Sequence, residues 1–351
     1  MLRRVFLYSG AVLLALILYL TLWPVPVEPV VWEAPPNSGY TGDFARNERL
    51  TGNMEKLPVD ELRGPEDVAV APDGRLYTGT ESGWIVRMNA DGSNPERWVD
   101  TGGWPLGMDF DAKGDLYIAD AYLGLIKIAP DKTITPLTRE AEGVAITFAD
   151  DLDIGRDGKV YFSCASSKFG AQAFGGPKQA SRLDVLEHSG NGRLIVYDPA
   201  DQSSEELLDG LNIATGEALP ADESFALVNQ PGHYREVRYW LRGPRAGESE
   251  VILELPSFPD NIERGAGGRF WVALVSPRSK ELDALSGSPF LRKVVQRLPA
   301  ALQPDVVAYV HILAIDEDCQ VLEDLQYPSG AFEANTSVLE SADSLWLVSL
   351  T

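Results

Sequence analysis

Cysteine and histidine are nearly missing from this chain. Its 351 residues hold two cysteines, Cys164 and Cys319, and three histidines, His188, His233 and His311. Two cysteines so far apart show none of the close spacing of a zinc or redox motif. A chain of this length has no need of a disulfide, so both are expected to stay free. Cys319 follows Asp316-Glu317-Asp318 in a turn-like run where glycine would be ordinary. Basic residues are scarce too: 30 Lys and Arg stand against 52 Asp and Glu, a formal net charge of −22. A surface so acidic repels a phosphate backbone and excludes nucleic acid as a partner. It suits a solvated extracytoplasmic domain, or one that holds a cation. No low-complexity tract is present. The 32 Gly and 24 Pro are spread along the chain, which suits many short strands joined by turns.

One long apolar run stands at the N-terminus. Arg3 and Arg4 precede Val5–Trp23, 19 residues without a charge, close to the ~20 that cross a bilayer as a helix. A cleaved signal peptide would show a shorter apolar core and an Ala-x-Ala-like site, and neither is found. Residues 1–23 are therefore expected to be an uncleaved transmembrane signal-anchor with its arginines on the cytoplasmic side. The rest would then be periplasmic, extracellular or luminal. Residues 24–53, opening with Pro24-Val25-Pro26-Val27-Glu28-Pro29, read as a stiff linker and lead-in, and 54–351 as the folded domain.

That domain repeats itself. Asp73-Gly74-Arg75-Leu76-Tyr77, Lys113-Gly114-Asp115-Leu116-Tyr117 and Asp157-Gly158-Lys159-Val160-Tyr161 are each a tight turn entering a β-rich run. Looser copies follow at Asp222–Ala226, Gly267–Trp271 and Ala342–Trp346. A further strand follows most of them, as in Trp84–Met88 and Leu194–Tyr197. Six units at roughly forty-residue spacing predict an all-β, six-bladed propeller. Two intervals are long: one holds the Gly-rich Phe169–Gly176, the other a helically spaced set, Leu291, Val294, Val295, Leu298 and Leu302. The second reads as a packed cap, with a lid or a patch against the membrane left open.

Eleven residues before the aromatic position of each turn stand Glu66, Leu106, Asp150, Thr215, Asp260 and Asn335. Equivalent positions in a propeller form a ring about its axis, and this register falls at one mouth of the central channel. Carboxylates gathered there repel unless they share a cation, and an oxygen-only set with Asn261 beside Asp260 favours Ca²⁺.

Several blocks resemble the strictosidine synthase-like family, the group that includes adipocyte plasma membrane-associated protein and is related to paraoxonases and gluconolactonases. They are Gly64-Pro65-Glu66-Asp67, Leu116–Leu125, Asp151-Leu152-Asp153-Ile154, Arg238–Pro244, Phe258-Pro259-Asp260-Asn261-Ile262 and Phe270–Leu274. The resemblance implies a calcium ion held by Glu66, Asp150, Thr215, Asp260 and Asn261. Asp150 and Thr215 stand where asparagine is usual, and Glu217 can compensate for the weaker hydroxyl. The paraoxonase-type histidine pair is missing, since Ala121 follows Asp120, and the three histidines read as surface or strand residues. Thr336 stands at the glutamate position of strictosidine synthase, so that enzyme's condensation is not expected.

Two functions follow. One is a metal-dependent hydrolase of small apolar lactones or aryl or carboxylic esters, with Asp260 or a bound water as base. The other is a non-catalytic module that binds a membrane-protein partner or a lipophilic ligand.

Overall fold

A computed structural model describes residues 2–57, 62–330, 332, 334–341 and 344–350. Each Gly-turn of the repeat closes a hairpin because it needs left-handed backbone: φ is +82° at Gly74, +85° at Gly114 and +83° at Gly158, which costs glycine nothing. Asp73 and Asp157 accept from the backbone amides of Arg75 and Lys159, the usual work of aspartate in a turn.

The hairpins grow into five antiparallel four-stranded sheets, each with its strands in sequence order. They span 68–100, 105–138, 149–211, 217–254 and 257–327. Their first strands, Val68–Val70, Pro105–Phe110, Ala149–Ile154, Glu217–Ala218 and Ser257–Arg264, line the axis. Apolar layers fill the gaps between blades. Ile85, Met108, Ile118 and Ile126 lie between the first and second, Leu125, Phe162 and Ile195 between the second and third, and Leu227, Val272 and Leu313 between the fourth and fifth. Each fully buried side chain of this kind contributes about 1.5–3 kcal/mol.

The expected six blades are corrected to five. The sixth repeat supplies only the hairpin Asn335–Ser341 and Ser344–Ser349 among the described residues, with Ala342 and Asp343 of its turn lying outside them. This hairpin closes the ring through hydroxyls: Thr336 Oγ1 donates to the Glu66 carbonyl (2.6 Å) and Ser337 Oγ to Asp67 Oδ1 (2.7 Å). Leu57 and Leu62 pack beside Val348 and Trp346; residues 58–61 between them lie outside the description.

Among the described residues four α-helices stand apart from the sheets: α1 (Leu2–Leu22), α2 (Pro177–Glu187), α3 (Lys280–Ala284) and α4 (Pro289–Gln296). Helix α1 has 21 residues, is long and apolar enough to cross a membrane, and is not buried against the rest of the chain along its apolar length. The other three lie in the two long insertions. Both insertions leave the blades at the end where the inner strands begin, because Ala149 pairs with Cys164 and Ser257 with Pro277. Helix α4 covers much of the helically spaced segment, whereas α2 follows the Gly-rich run unannounced.

Candidate metal centre

The ring register has a structural cause. In four of the six inner strands the pairing slips at the same place: between Pro105 and Met108, Ala149 and Leu152, Pro259 and Ile262, and Asn335 and Ser337. Each slip is a bulge, an extra residue that bends the strand and re-aims its side chains. Leu106, Asp150 and Asp260 sit on three of these bulges. Glycine lets the neighbouring blade nest against them. A Cβ on Gly107 would lie 2.3 Å from Asp151 Oδ1, and one on Gly216 would lie 2.4 Å from Asn261 Cα.

Glu66, Asp150 and Asp260 converge, each offering an oxygen within 4.8 Å of the other two. Glu66 and Asp150 are buried and Asp260 is half-buried. Asn261, fully buried, donates its Nδ2 to Glu66 Oε1 (2.9 Å). Three buried oxygens have no hydrogen-bond partner here: Glu66 Oε2, Asp150 Oδ2 and Asn261 Oδ1. Orphaned buried oxygens are costly, and an all-oxygen set of this kind fits a hard cation such as Ca²⁺. Thr215 takes a different part. Its Oγ1 donates to the Asp260 carbonyl (3.1 Å), as does Asn229 Nδ2 from the next strand, so both hold the Asp260 main chain in place. Asn229 gave no sign in the repeat because it lies on the second strand of its blade, paired with Thr215 and Gly216 but outside the ring register.

Burial sets the protonation of the group. It raises Glu66 well above the ordinary carboxylate range, with Asp150 and then Asp260 adding repulsion. Asp150 is pushed up to about 7 by burial, and Asp260 is raised well above its usual value by burial and then by Asp150.

A second acidic tier, Asp67, Asp151 and Glu263, lies further along these strands, one residue past Glu66 and Asp150 and three past Asp260. Strand alternation would send adjacent residues to opposite faces, so the doublets Glu66-Asp67 and Asp150-Asp151 did not suggest two tiers on one axis. Protein groups already serve both oxygens of Asp67, through Ser337 and the Met108 amide. Glu217, read as a compensating ligand, is raised by burial and then by Asp151, its foremost carboxylate neighbour. It belongs beside the lower tier.

Of the three histidines expected at the surface or on strands, His188 is at neither. His188 ends α2 in left-handed backbone (φ +62°), and its ring stacks on Trp32 at 3.9 Å and meets His233 at 4.3 Å. Burial holds His188 far below the usual imidazole range and lowers His233 to about 4, so both are neutral. The surface reading fails for His188; His311 is a strand residue whose Nε2 contacts Asp324 Oδ2 at 3.1 Å. Cys164 and Cys319 are free and buried, and Cys319 has φ +60°, the backbone a glycine would favour. The linker lies on this same face. Val27, fully buried, joins Leu106, Phe148, Phe169 and Ile213 in one apolar cluster, beside the ring itself.

Gly216→Ala tests whether blade nesting positions the centre. The added methyl must push Asn261 aside, so we expect a loss of about 1–3 kcal/mol and weakened calcium-induced thermal stabilisation with every acidic side chain intact. Differential scanning fluorimetry with and without calcium reads both.

Residues 42–88 match the N-terminal part of the strictosidine synthase-like family, and residues 150–244 match strictosidine synthase. Strictosidine synthase-like protein 13 of Arabidopsis thaliana is 34% identical over 340 residues, covering 86% of this chain and 82% of that protein. Adipocyte plasma membrane-associated protein of Bos taurus is 32% identical over 330 residues, covering 88% and 77%. Among solved structures, a gluconolactonase from Xanthomonas campestris superposes with a TM-score of 0.61 at 16% identity, over 83% of this chain and 84% of its own. The calcium-binding protein regucalcin from Agrobacterium tumefaciens gives 0.54 at 12% identity, over 79% and 78%. At such identities the likeness is one of fold.

Proposed function

This chain belongs to the strictosidine synthase-like family, and from that footing we propose that it is a membrane-anchored, calcium-dependent hydrolase of small apolar lactones or aryl or carboxylic esters. The observation that carries the proposal is the trio of unpartnered buried oxygens on Glu66, Asp150 and Asn261, joined by the Asp260 carboxylate at the same mouth. Glu66, Asp150, Asp260 and Asn261 would hold the ion, with Thr215 fixing the Asp260 backbone. When bound, calcium supplies polarisation of the ester carbonyl and compensation of the oxyanion charge.

Asp260, the least buried of the set, accepts a proton from the attacking water. The hydroxyl forms the new C–O bond, the alkoxide leaves, and Asp260 returns the proton to it, giving an acid and an alcohol (one hydroxy acid from a lactone). Helix α1 would anchor this domain with Arg3 and Arg4 on the cytoplasmic side, placing the propeller outside the cytoplasm.

A second reading has one observation in its favour: Val27 of the linker occupies the apolar cluster at the mouth of the centre, where a substrate would enter. On that reading the propeller holds calcium and binds a membrane-protein partner or a lipophilic ligand without turnover.

A panel of aliphatic lactones and aryl acetates, assayed with full-length protein in detergent, separates the two. Hydrolysis that needs calcium and falls at least a hundredfold in Asp260→Ala supports the hydrolase. Calcium binding with no turnover across the panel would replace it by the binding module.

A further inference from the structure

We propose that the propeller does not hang from a flexible tether but sits on the bilayer through α4 and the turn after it, the candidate centre facing the membrane. The inference rests on the reading of α1 as the anchor and adds a docking surface to it.

The join between α1 and the propeller is rigid. Arg297, at the end of α4 and only 7% exposed, donates its Nε to the Trp23 carbonyl (2.6 Å) and its Nη1 to the Leu20 carbonyl (3.0 Å). These are carbonyls at a helix end that has no intrahelical donors for them, and a cation there also answers the helix dipole. The next residues are fixed in turn. Glu28 pairs with Lys293 at 2.7 Å and donates its amide to Glu187 at 2.6 Å. Val30 donates to the Glu187 carbonyl (2.9 Å) while its own carbonyl accepts from the buried Arg292.

This join also sets the height of α4. The 21 residues of α1 rise about 31 Å as a helix, matching the ~30 Å hydrocarbon core. The α1 end at Trp23 then lies at the boundary between acyl chains and headgroups. Arg297, bonded to it, brings α4 to the same level. There the surface turns apolar. Of seven large hydrophobic side chains exposed between 62 and 350 among the described residues, four fall between 290 and 307: Phe290 at 56%, Leu291 at 44%, Leu302 at 66% and Val307 at 55%. The linker adds Val31 at 66%. Apolar side chains gathered on an otherwise acidic domain mark a docking surface, and at this height the occupant is lipid. Both insertions leave the blades at the mouth of the candidate centre, so that face is the one seated.

The test places single reporter cysteines in the full-length protein, reconstituted in phosphatidylcholine vesicles, each bearing an environment-sensitive fluorophore. Leu291→Cys and Leu302→Cys probe the docking surface, Leu13→Cys probes α1, and Leu322→Cys, at the far end of the fifth blade, serves as reference. Cys164 and Cys319 are buried, and the unsubstituted protein sets the labelling background. Two lipid-borne quenchers are used, one near the headgroups for positions 291, 302 and 322 and one at the acyl-chain ends for position 13. The first should quench 291 and 302 at least threefold more than 322, and Arg297→Gln should at least halve the effect at 291 with quenching at 13 by the second unchanged. Quenching at 13 with 291 and 302 no greater than 322 would overturn the docking and leave the anchor standing. No quenching at 13 would remove the anchor and the docking together. A signal at 291 that follows protein density and ignores the headgroup quencher would assign the patch to a second copy of the chain, against the proposal.

Discussion

Withdrawing calcium from the full-length protein is expected to lower its melting temperature by several degrees, and restoring it to reverse the loss. Binding to the folded state alone stabilises by RT ln(1 + [L]/Kd), about 2.7 kcal/mol at a hundredfold excess over Kd. The pH dependence has a definite sign. Because burial raises the folded-state pKa values of Glu66, Asp150 and Asp260, with Asp150 at about 7, the metal-free fold binds more protons than the unfolded chain above pH ~4. It therefore loses stability as pH rises through about 7. A shared cation favours the ionised forms and removes that loss, so the calcium effect should grow from pH 5 to pH 8. Asp260→Ala removes a ligand, and its melting curves should be the same with chelator and with calcium. Superposable wild-type curves under those two conditions would contradict a shared ion.

Arg292→Met should be nearly as damaging, though it touches no acidic residue of the centre. Arg292 is fully buried and donates to the carbonyls of Leu186, Val30 and Ser286. One side chain thus ties α2, the linker and the α3–α4 connection together. Leaving buried carbonyls without donors costs about 1–3 kcal/mol, and methionine fills the volume without replacing the bonds. We expect a loss of that order in chemical denaturation, with faster proteolysis between Val25 and Pro36. Wild-type stability together with an unchanged proteolytic pattern would mean that the linker is held by its apolar contacts alone.

How far the molecule could be read from its residues varies with the physical signal. The Gly-turns at 74, 114 and 158 were legible because only glycine takes that backbone cheaply. Counting eleven residues back found Asp150 and Asp260 because their inner strands bulge at a common position, and Glu66 because it stands at the same offset just before its strand. The same bulges hid the lower tier, since regular alternation assigns Asp67 and Asp151 to the other face. The sixth unit was overcounted: its turn resembles the others, but a turn marks a hairpin and says nothing of the outer strands. The roof over the centre left the weakest trace. Val27 and Trp32 lie in a Pro-rich stretch that looks like a spacer, and only their burial against Leu106, Phe148 and His188 shows that it is packed. Helix α2 had a proline at its first turn after Gly175-Gly176, a start signal overshadowed by the glycines before it.

The central claim is that one cation lies among Glu66, Asp150, Asp260 and Asn261, and crystals soaked in terbium, a calcium surrogate with strong anomalous scattering, test it most directly. An anomalous difference peak within about 2.3–2.6 Å of Glu66 Oε2, Asp150 Oδ2 and an Asp260 carboxylate oxygen is the predicted result. A map empty at that point, or with its only axial peak at the lower tier of Asp67, Asp151 and Glu263, would contradict the account.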